Sequence, residues 1–283
     1  MNLDWSTLEL HHIDLHFHAG TERPEDASLE DFILAAKRSG RKVVGITDHF
    51  WHFLGYSKNN RHYPGTVEGY LQLSDDIVAV RERFPDMLLL FGPEMNLIRV
   101  LTDEGLPAFT SPAVTHFIAE PHTDHWGGEE YIKAFPRVAW VRERYGLPAF
   151  LAHPIRNVIS VLRQDTSLAE NPPHPPLARV ADPVAHTGEV FDVDIPALAR
   201  ASREYDVPIE LNAASWHNVV ASNQEWLFER YVCFYRTLLD LGAELVLGSD
   251  AHGVSFPMAT GHEAMHMLGV KATDIRFLRN WME

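Results

Sequence analysis

A chain of 283 residues, 46% of them apolar, is long enough to bury a core and is far from the composition of a disordered polymer. Its 24 Lys and Arg stand against 39 Asp and Glu, a formal charge of −15 that repels a nucleic-acid backbone and argues against a nucleic-acid partner. The single Cys233 excludes a disulfide framework within the chain and a Cys-rich zinc knuckle. Tyr231, Phe234 and Leu238 recur around it at helical spacing, which marks it as a core thiol. Met1 to Leu10 has no basic segment followed by an apolar run, and no apolar stretch approaches the roughly 20 residues needed to cross a bilayer. A cytoplasmic protein with no membrane partner is expected, of a subunit number the sequence does not reveal.

In chain order, Ile13–Phe17 reads as a strand finishing at His16 and His18. Ser28 can cap a helix from Leu29 to about Ser39, with Asp31 near its positive end, Gly40 as terminator and Phe32, Ile33 and Ala36 on one face. Lys42 to Thr47 is a near-continuous apolar run, as in a parallel strand covered on both faces, and leads into Asp48 and His49. Residues 50–65 form a polar and aromatic loop. A helix over 66–84 turns Tyr70, Leu73, Ile77, Val80 and Phe84 inward, and the next strand, Met87–Phe91, is followed by Glu94. Val114–Ala119 leads to His122. A helix over 129–145 precedes Ala149–Ala152 and His153. Segment 156–191, with Asn-Pro-Pro-His-Pro-Pro at 171–176, breaks the rhythm as a lid, an added helix plus loop, or local disorder. A helix over 195–205, capped by Asp194, precedes Pro208–Leu211 and Asn212. A helix over 223–241 precedes Leu245–Leu247, which leads to Asp250 and His252. Strand and helix alternate throughout, the signature of βα units. Residues 1–283 therefore read as one domain, with long loops at 50–65 and 156–191.

Parallel strands alternating with helices put their C-terminal ends on one face, where such barrels build their sites. Each apolar run here ends in a residue able to bind a metal or a phosphate. In Asp14-Leu15-His16-Phe17-His18 the period of two points both imidazoles the same way, toward one ion, and lets Asp14 orient a ligand through its second ring nitrogen. Asp250-Ala251-His252 would do the same if its backbone is extended. A buried Glu94 is costly unless it meets a cation, and its two oxygens suit it to bridge two ions. His122 is preferred to His116 and His125 because it follows the apolar part of its run. Taken singly, each residue has a bland reading as a helix cap, a packed histidine or a surface loop. Their repetition at equivalent places favours a metal centre.

Here the chain resembles the polymerase and histidinol phosphatase (PHP) superfamily of metal-dependent phosphoesterases. The family's motifs look like Asp14-Leu15-His16-Phe17-His18, Ile46-Thr47-Asp48-His49, Ala152-His153-Pro154 and Gly248-Ser249-Asp250-Ala251-His252, with Glu94 and His122 matching the intervening ligands. The resemblance implies a distorted (βα)7 TIM-like barrel of PHP type holding two or three divalent ions. It places His16, His18, Glu94 and Asp250 on one, Glu94, His122 and His153 on a second, and His49 with His252 on a third. The family usually adds another His or Asp shortly after the first motif. Residues 19–26 hold no His, and Glu25 or Glu22 would have to substitute.

Carboxylates mixed with imidazoles suit Zn, Mn or Fe. The implied reaction is hydrolysis of a small phosphomonoester, of histidinol-phosphate or nucleotide type, by a metal-activated hydroxide. His49, His252 and Asp250 are the candidate catalytic residues, with either histidine placed to protonate the leaving group. Arg156 is a candidate phosphate clamp, and Asn212 and His217 are candidates to orient substrate. His262 and His266, one turn apart, look like a zinc pair but show no third partner. An amidohydrolase barrel also begins with His-x-His, yet it expects a mid-chain bridging Lys where this chain offers Glu94. A PHP nuclease is disfavoured by the acidic composition.

Overall fold

The computed structural model describes residues 3–20, 27–55, 62–96, 109–120, 128–162, 174–252 and 261–282. Seven parallel strands stand in sequence order in one sheet: β1 (Ile13–Phe17), β2 (Val43–His49), β3 (Leu88–Asn96), β4 (Phe117–Glu120), β5 (Ala149–Leu151), β6 (Ile209–Asn212) and β7 (Leu245–Gly248). The last returns to the first. Phe17 bridges Ala251, the His18 amide donates to the Ala251 carbonyl at 2.9 Å, and the Asp250 amide donates to the His16 carbonyl at 2.8 Å. A distorted (βα)7 TIM-like barrel results, as the family resemblance implies, built from the βα units that the alternation of runs predicts. Aliphatic and aromatic side chains on the two faces of the sheet make up the core: Leu15, Phe17, Val44, Ile46, Leu90, Phe91, Phe150, Leu211 and Val246 are all fully buried.

Most helices lie where the periodicity places them. In α1 (Leu29–Arg38) the Asp31 amide donates to Ser28 Oγ at 3.1 Å, while Asp31 reaches back to the Ser28 amide at 2.8 Å. That reciprocal pair satisfies donors the first turn would leave open. Thr66 caps α2 (Val67–Arg83). The helix α3 (Gly128–Tyr145) precedes β5.

Segment 156–191 contains more helix than its composition announces: α4 (Arg156–Leu162), a 3₁₀ turn over Leu177–Arg179, and α5 (Pro183–Phe191). The start of α5 is hidden behind the proline-rich run, but Asp182 accepts from the amides of Val184 and Ala185 at 3.1 and 2.9 Å, with Pro183 in the first turn. Next come α6 (Ile195–Tyr205), capped by Asp194 as expected, and α7 (Ala213–Ala221), which the sequence reading does not include. Among the described residues, α8 (Glu225–Asp240) and α9 (Gly261–Met267) follow. In the expected loop 50–65, Phe50–Leu54 forms a 3₁₀ helix whose Phe50 and Phe53 meet Tyr70 edge-on at 5.0 and 5.3 Å. Cys233, expected in the core, is half-buried, with its Sγ 3.8 Å from the Pro183 carbonyl. No helix among the described residues is long and apolar enough to cross a membrane.

Candidate metal centre

The C-terminal strand ends bring most of the singled-out residues together. On β1 the pleat aims Asp14 and His16 to one side, and His18 follows at the strand's end. The Nε2 atoms of His16 and His18 lie 3.0 Å apart. Glu94, near the end of β3, places Oε2 3.4 Å from His16 Nε2, 3.3 Å from His18 Nε2 and 2.8 Å from His49 Nδ1. Its other oxygen, Oε1, lies 3.0 Å from His153 Nε2. Asp250 Oδ1 is 3.3 Å from His18 Nε2 and 3.7 Å from His16 Nε2. His252 Nε2 approaches His49 Nε2 at 3.5 Å. Four groups each gather ligand atoms within 4.8 Å of one another: His18–His49–His252, His16–His153–Glu210, His16–His18–Glu94 and His49–Glu94–Glu120.

Two of these residues sit on unusual backbone. His153 has φ 26° and Asp250 φ 56°, both in the left-handed region that side chains other than glycine rarely adopt. The extended backbone expected over Asp250-Ala251-His252 is therefore not what forms. The bend at Asp250 turns His252 Nδ1 to 2.9 Å from the Asp250 carbonyl. A carbonyl only accepts, so Nδ1 carries the proton and Nε2 keeps its lone pair.

Asp14 does not orient a ligand through an imidazole. Its Oδ1 accepts from the Ser249 amide at 2.8 Å and the His16 amide at 3.3 Å, which ties β1 to the segment after β7. The imidazole of His16 is instead held by Glu210, whose Oε1 lies 2.9 Å from Nδ1. Sequence reasoning missed Glu210 and Glu120. For Glu210 a signal existed, since a carboxylate two residues before Asn212 in an apolar strand shares its inward face. Asn212, expected to orient substrate or a loop, is fully buried. It accepts the Ser215 amide at 2.9 Å as the cap of α7, and donates to Glu210 Oε2 and Asp250 Oδ2, each at 3.3 Å.

Arg156, at the start of α4, pairs with Asp250 Oδ2 on the rim of this cluster. His217 is exposed on α7 and joins no ion pair or hydrogen bond with the cluster. His122, Glu22, Glu25 and His125 lie outside the described residues. His262 and His266 stand with ring centroids 6.1 Å apart, and His262 lies 6.4 Å from His11 beside Arg41, whose positive charge opposes a cation.

The electrostatics of the cluster favour positive charge at its centre. Burial disfavours a charged His16, but Glu210, Glu94 and Asp250 outweigh it and hold its pKa well above the ordinary value. Burial likewise opposes ionised Glu94 and Asp250. His49 and His16 beside Glu94, and Arg156 and His16 beside Asp250, nonetheless hold both well below the carboxylate range. His18 goes the other way: burial, with His252 and His49 close by, keeps it neutral with a lone pair to give. Glu94 Oε2 and Asp250 Oδ1 are buried and meet only imidazole nitrogens, with no well-directed hydrogen bond, a costly arrangement in a protein interior. Both face imidazole nitrogens at 2.8 to 3.7 Å, close to the spacing of ligand atoms gathered around one cation. The donor set, carboxylate oxygens with imidazole nitrogens, fits a divalent transition metal.

No family model matches the chain. It is similar to a probable phosphatase of Citrobacter koseri, 26% identical over 250 residues, which cover 85% of this chain and 78% of that protein. A probable phosphatase of Edwardsiella ictaluri is 24% identical over 268 residues, covering 92% of this chain and 85% of the relative. Among solved structures, histidinol phosphate phosphatase from Lactococcus lactis, complexed with zinc, L-histidinol and phosphate, superposes with a TM-score of 0.54. The two are 16% identical, and the match covers 92% of this chain and 94% of that one. This likeness is one of fold.

Proposed function

We propose that this chain is a metal-dependent phosphoesterase that hydrolyses a small phosphomonoester, with residues 1–283 acting as one catalytic unit. The observation that carries the reading is Glu94, wholly buried, with one oxygen turned to His16, His18 and His49 and the other to His153. A carboxylate shared in this way suits two neighbouring cations. His16, His18, Glu94 and Asp250 would hold one, and Glu94 with His153 a second, to which His122 is the natural addition. His49 and His252 either join His18 around a third ion or act in proton transfer. Zinc, manganese or iron in these positions would supply Lewis acidity, activating the attacking water and offsetting charge on the phosphoryl oxygens. The similarity to probable phosphatases supports the same class.

The chain's own groups supply the remainder. Arg156, beside Asp250, offers paired N–H donors to a phosphate seated on the cluster. His252, whose Nδ1 proton is committed to the Asp250 carbonyl, would protonate the leaving alkoxide from Nε2 once that nitrogen has itself taken up a proton. The acidic composition disfavours a polynucleotide substrate.

A panel of small phosphomonoesters, assayed beside amide and lactone substrates, tests the reading. Phosphate release that a chelator removes and added Mn²⁺ or Zn²⁺ restores is the expected result. Amide or lactone hydrolysis without phosphate release would assign the chain to the amidohydrolase class instead.

A further inference from the structure

We infer that Glu210 is a positioning residue for metal binding, which ties together from outside the two ligand sets that Glu94 joins from inside. The inference rests on the metal-dependent reading above. Glu210 is fully buried on β6. Its Oε1 lies 2.9 Å from His16 Nδ1, on the side of the ring away from the Nε2 that faces His18, Glu94 and Asp250. Its Oε2 accepts from the His153 amide at 2.7 Å and from Asn212 Nδ2 at 3.3 Å. One carboxylate thus holds an imidazole of the first ligand set by its ring and one of the second by its backbone.

The geometry at this spot calls for two acceptor oxygens. Three N–H donors converge on two oxygens, and a glutamine would turn its own NH₂ toward at least one of them. The backbone bond falls where the chain is strained, at His153 with φ 26°. Without an acceptor for that amide, His153 is free to relax and carry its Nε2 away from Glu94 Oε1, now 3.0 Å distant. Ligands to metals commonly depend on such outer partners for tautomer and aim. His16, His153 and Glu210 also bring one ligand atom each within 4.8 Å. Direct coordination by Glu210 is the weaker reading, because both of its oxygens already face N–H groups.

Two features of the fold keep Glu210 in place. Tyr235 Oη donates to the Glu210 carbonyl at 3.0 Å, and Tyr231 Oη to the Asn212 carbonyl at 3.4 Å, so α8 pins β6 from outside the barrel. On β7, Gly248 leaves the gap in which the contact is made. A Cβ there would stand 2.1 Å from Glu210 Oε1 and 2.4 Å from His16 Cβ, distances no real contact tolerates. Gly248 is a glycine because Glu210 and His16 meet across it.

The test uses the full chain, stripped of metal and titrated with Zn²⁺ or Mn²⁺ alone. Ion affinity is followed by calorimetry, and the melting temperature is measured with and without ion. Losing an outer partner typically weakens metal binding ten- to a hundredfold. Glu210→Gln should therefore bind at least about tenfold more weakly, keep a near-wild-type melting temperature when ion-free, and lose part of the ion-induced rise. Gly248→Ala should shift affinity in the same direction. A Glu210→Gln protein with wild-type ion affinity overturns the inference, as does one whose ion-free melting temperature falls while affinity is unchanged. Wild-type protein that binds no ion overturns the functional reading together with this inference, whereas a wild-type titration that succeeds isolates Glu210.

Discussion

Two fully buried histidines in the same barrel have opposite surroundings. His16, on β1, is ringed by Glu94, Glu210 and Asp250. His116, just before β4, packs against Phe150, Phe277 and Trp281 with ring centroids 6.2, 6.2 and 6.4 Å away, and touches Thr115 Oγ1 at 3.3 Å. Burial alone depresses an imidazole, and at His116, with Arg81 and His16 adding to it, the pKa falls to about 3. At His16 the carboxylates reverse that result. What separates a structural histidine from a candidate ligand is therefore the charge around it, and that charge comes from strands far apart in sequence.

The largest expected effect lies at the carboxylate-ringed residue. His16→Ala removes a ring nitrogen that faces Glu94 and Asp250 together, so phosphate release should drop to the assay background and metal content should fall with it. Unchanged turnover in His16→Ala would remove the distinction between the two histidines.

Much of this contrast was legible in the chain. The period-two spacing of His16 and His18, and the repeated finish of apolar runs at Glu94, His153 and Asp250, require only that parallel strands end on one face. Glu210 was harder to see, because a carboxylate in a strand reads the same whether it points into a barrel or out to water. Asn212 looked like a substrate contact because its position at a strand end is right. Its cap of α7 appears only once that short helix is known. The bend at Asp250 is a backbone property that no residue type there announces. His122 and Glu25 fall outside the described residues.

A smaller effect is expected at the rim. Arg156→Lys keeps the positive charge but loses the planar pair of donors. With charged hydrogen bonds contributing about 1.5–3 kcal/mol, kcat/KM for a phosphomonoester should fall roughly ten- to a hundredfold. If Arg156 only neutralises Asp250, lysine would serve as well and kcat/KM would hold.

The smallest effect lies at His116 and concerns stability rather than turnover. Its folded-state pKa of about 3 lies below the unfolded value near 6.5. The associated stability is fully present above about pH 6.5 and is lost as pH falls toward 3, reaching roughly 2 kcal/mol by pH 5. His116→Leu has no proton to take up, so its melting temperature should decline less than wild type between pH 7 and pH 5. Equal declines would show that the aromatic pocket does not govern this part of the acid sensitivity.

The most direct measurement is an anomalous-difference map from crystals of the protein grown with Zn²⁺ or Mn²⁺. Two peaks are expected, one bounded by His16, His18 and Asp250 and the other beside His153, each within bonding distance of a different oxygen of Glu94. A map with no peak at Glu94, from protein that otherwise retains this fold, would contradict the account.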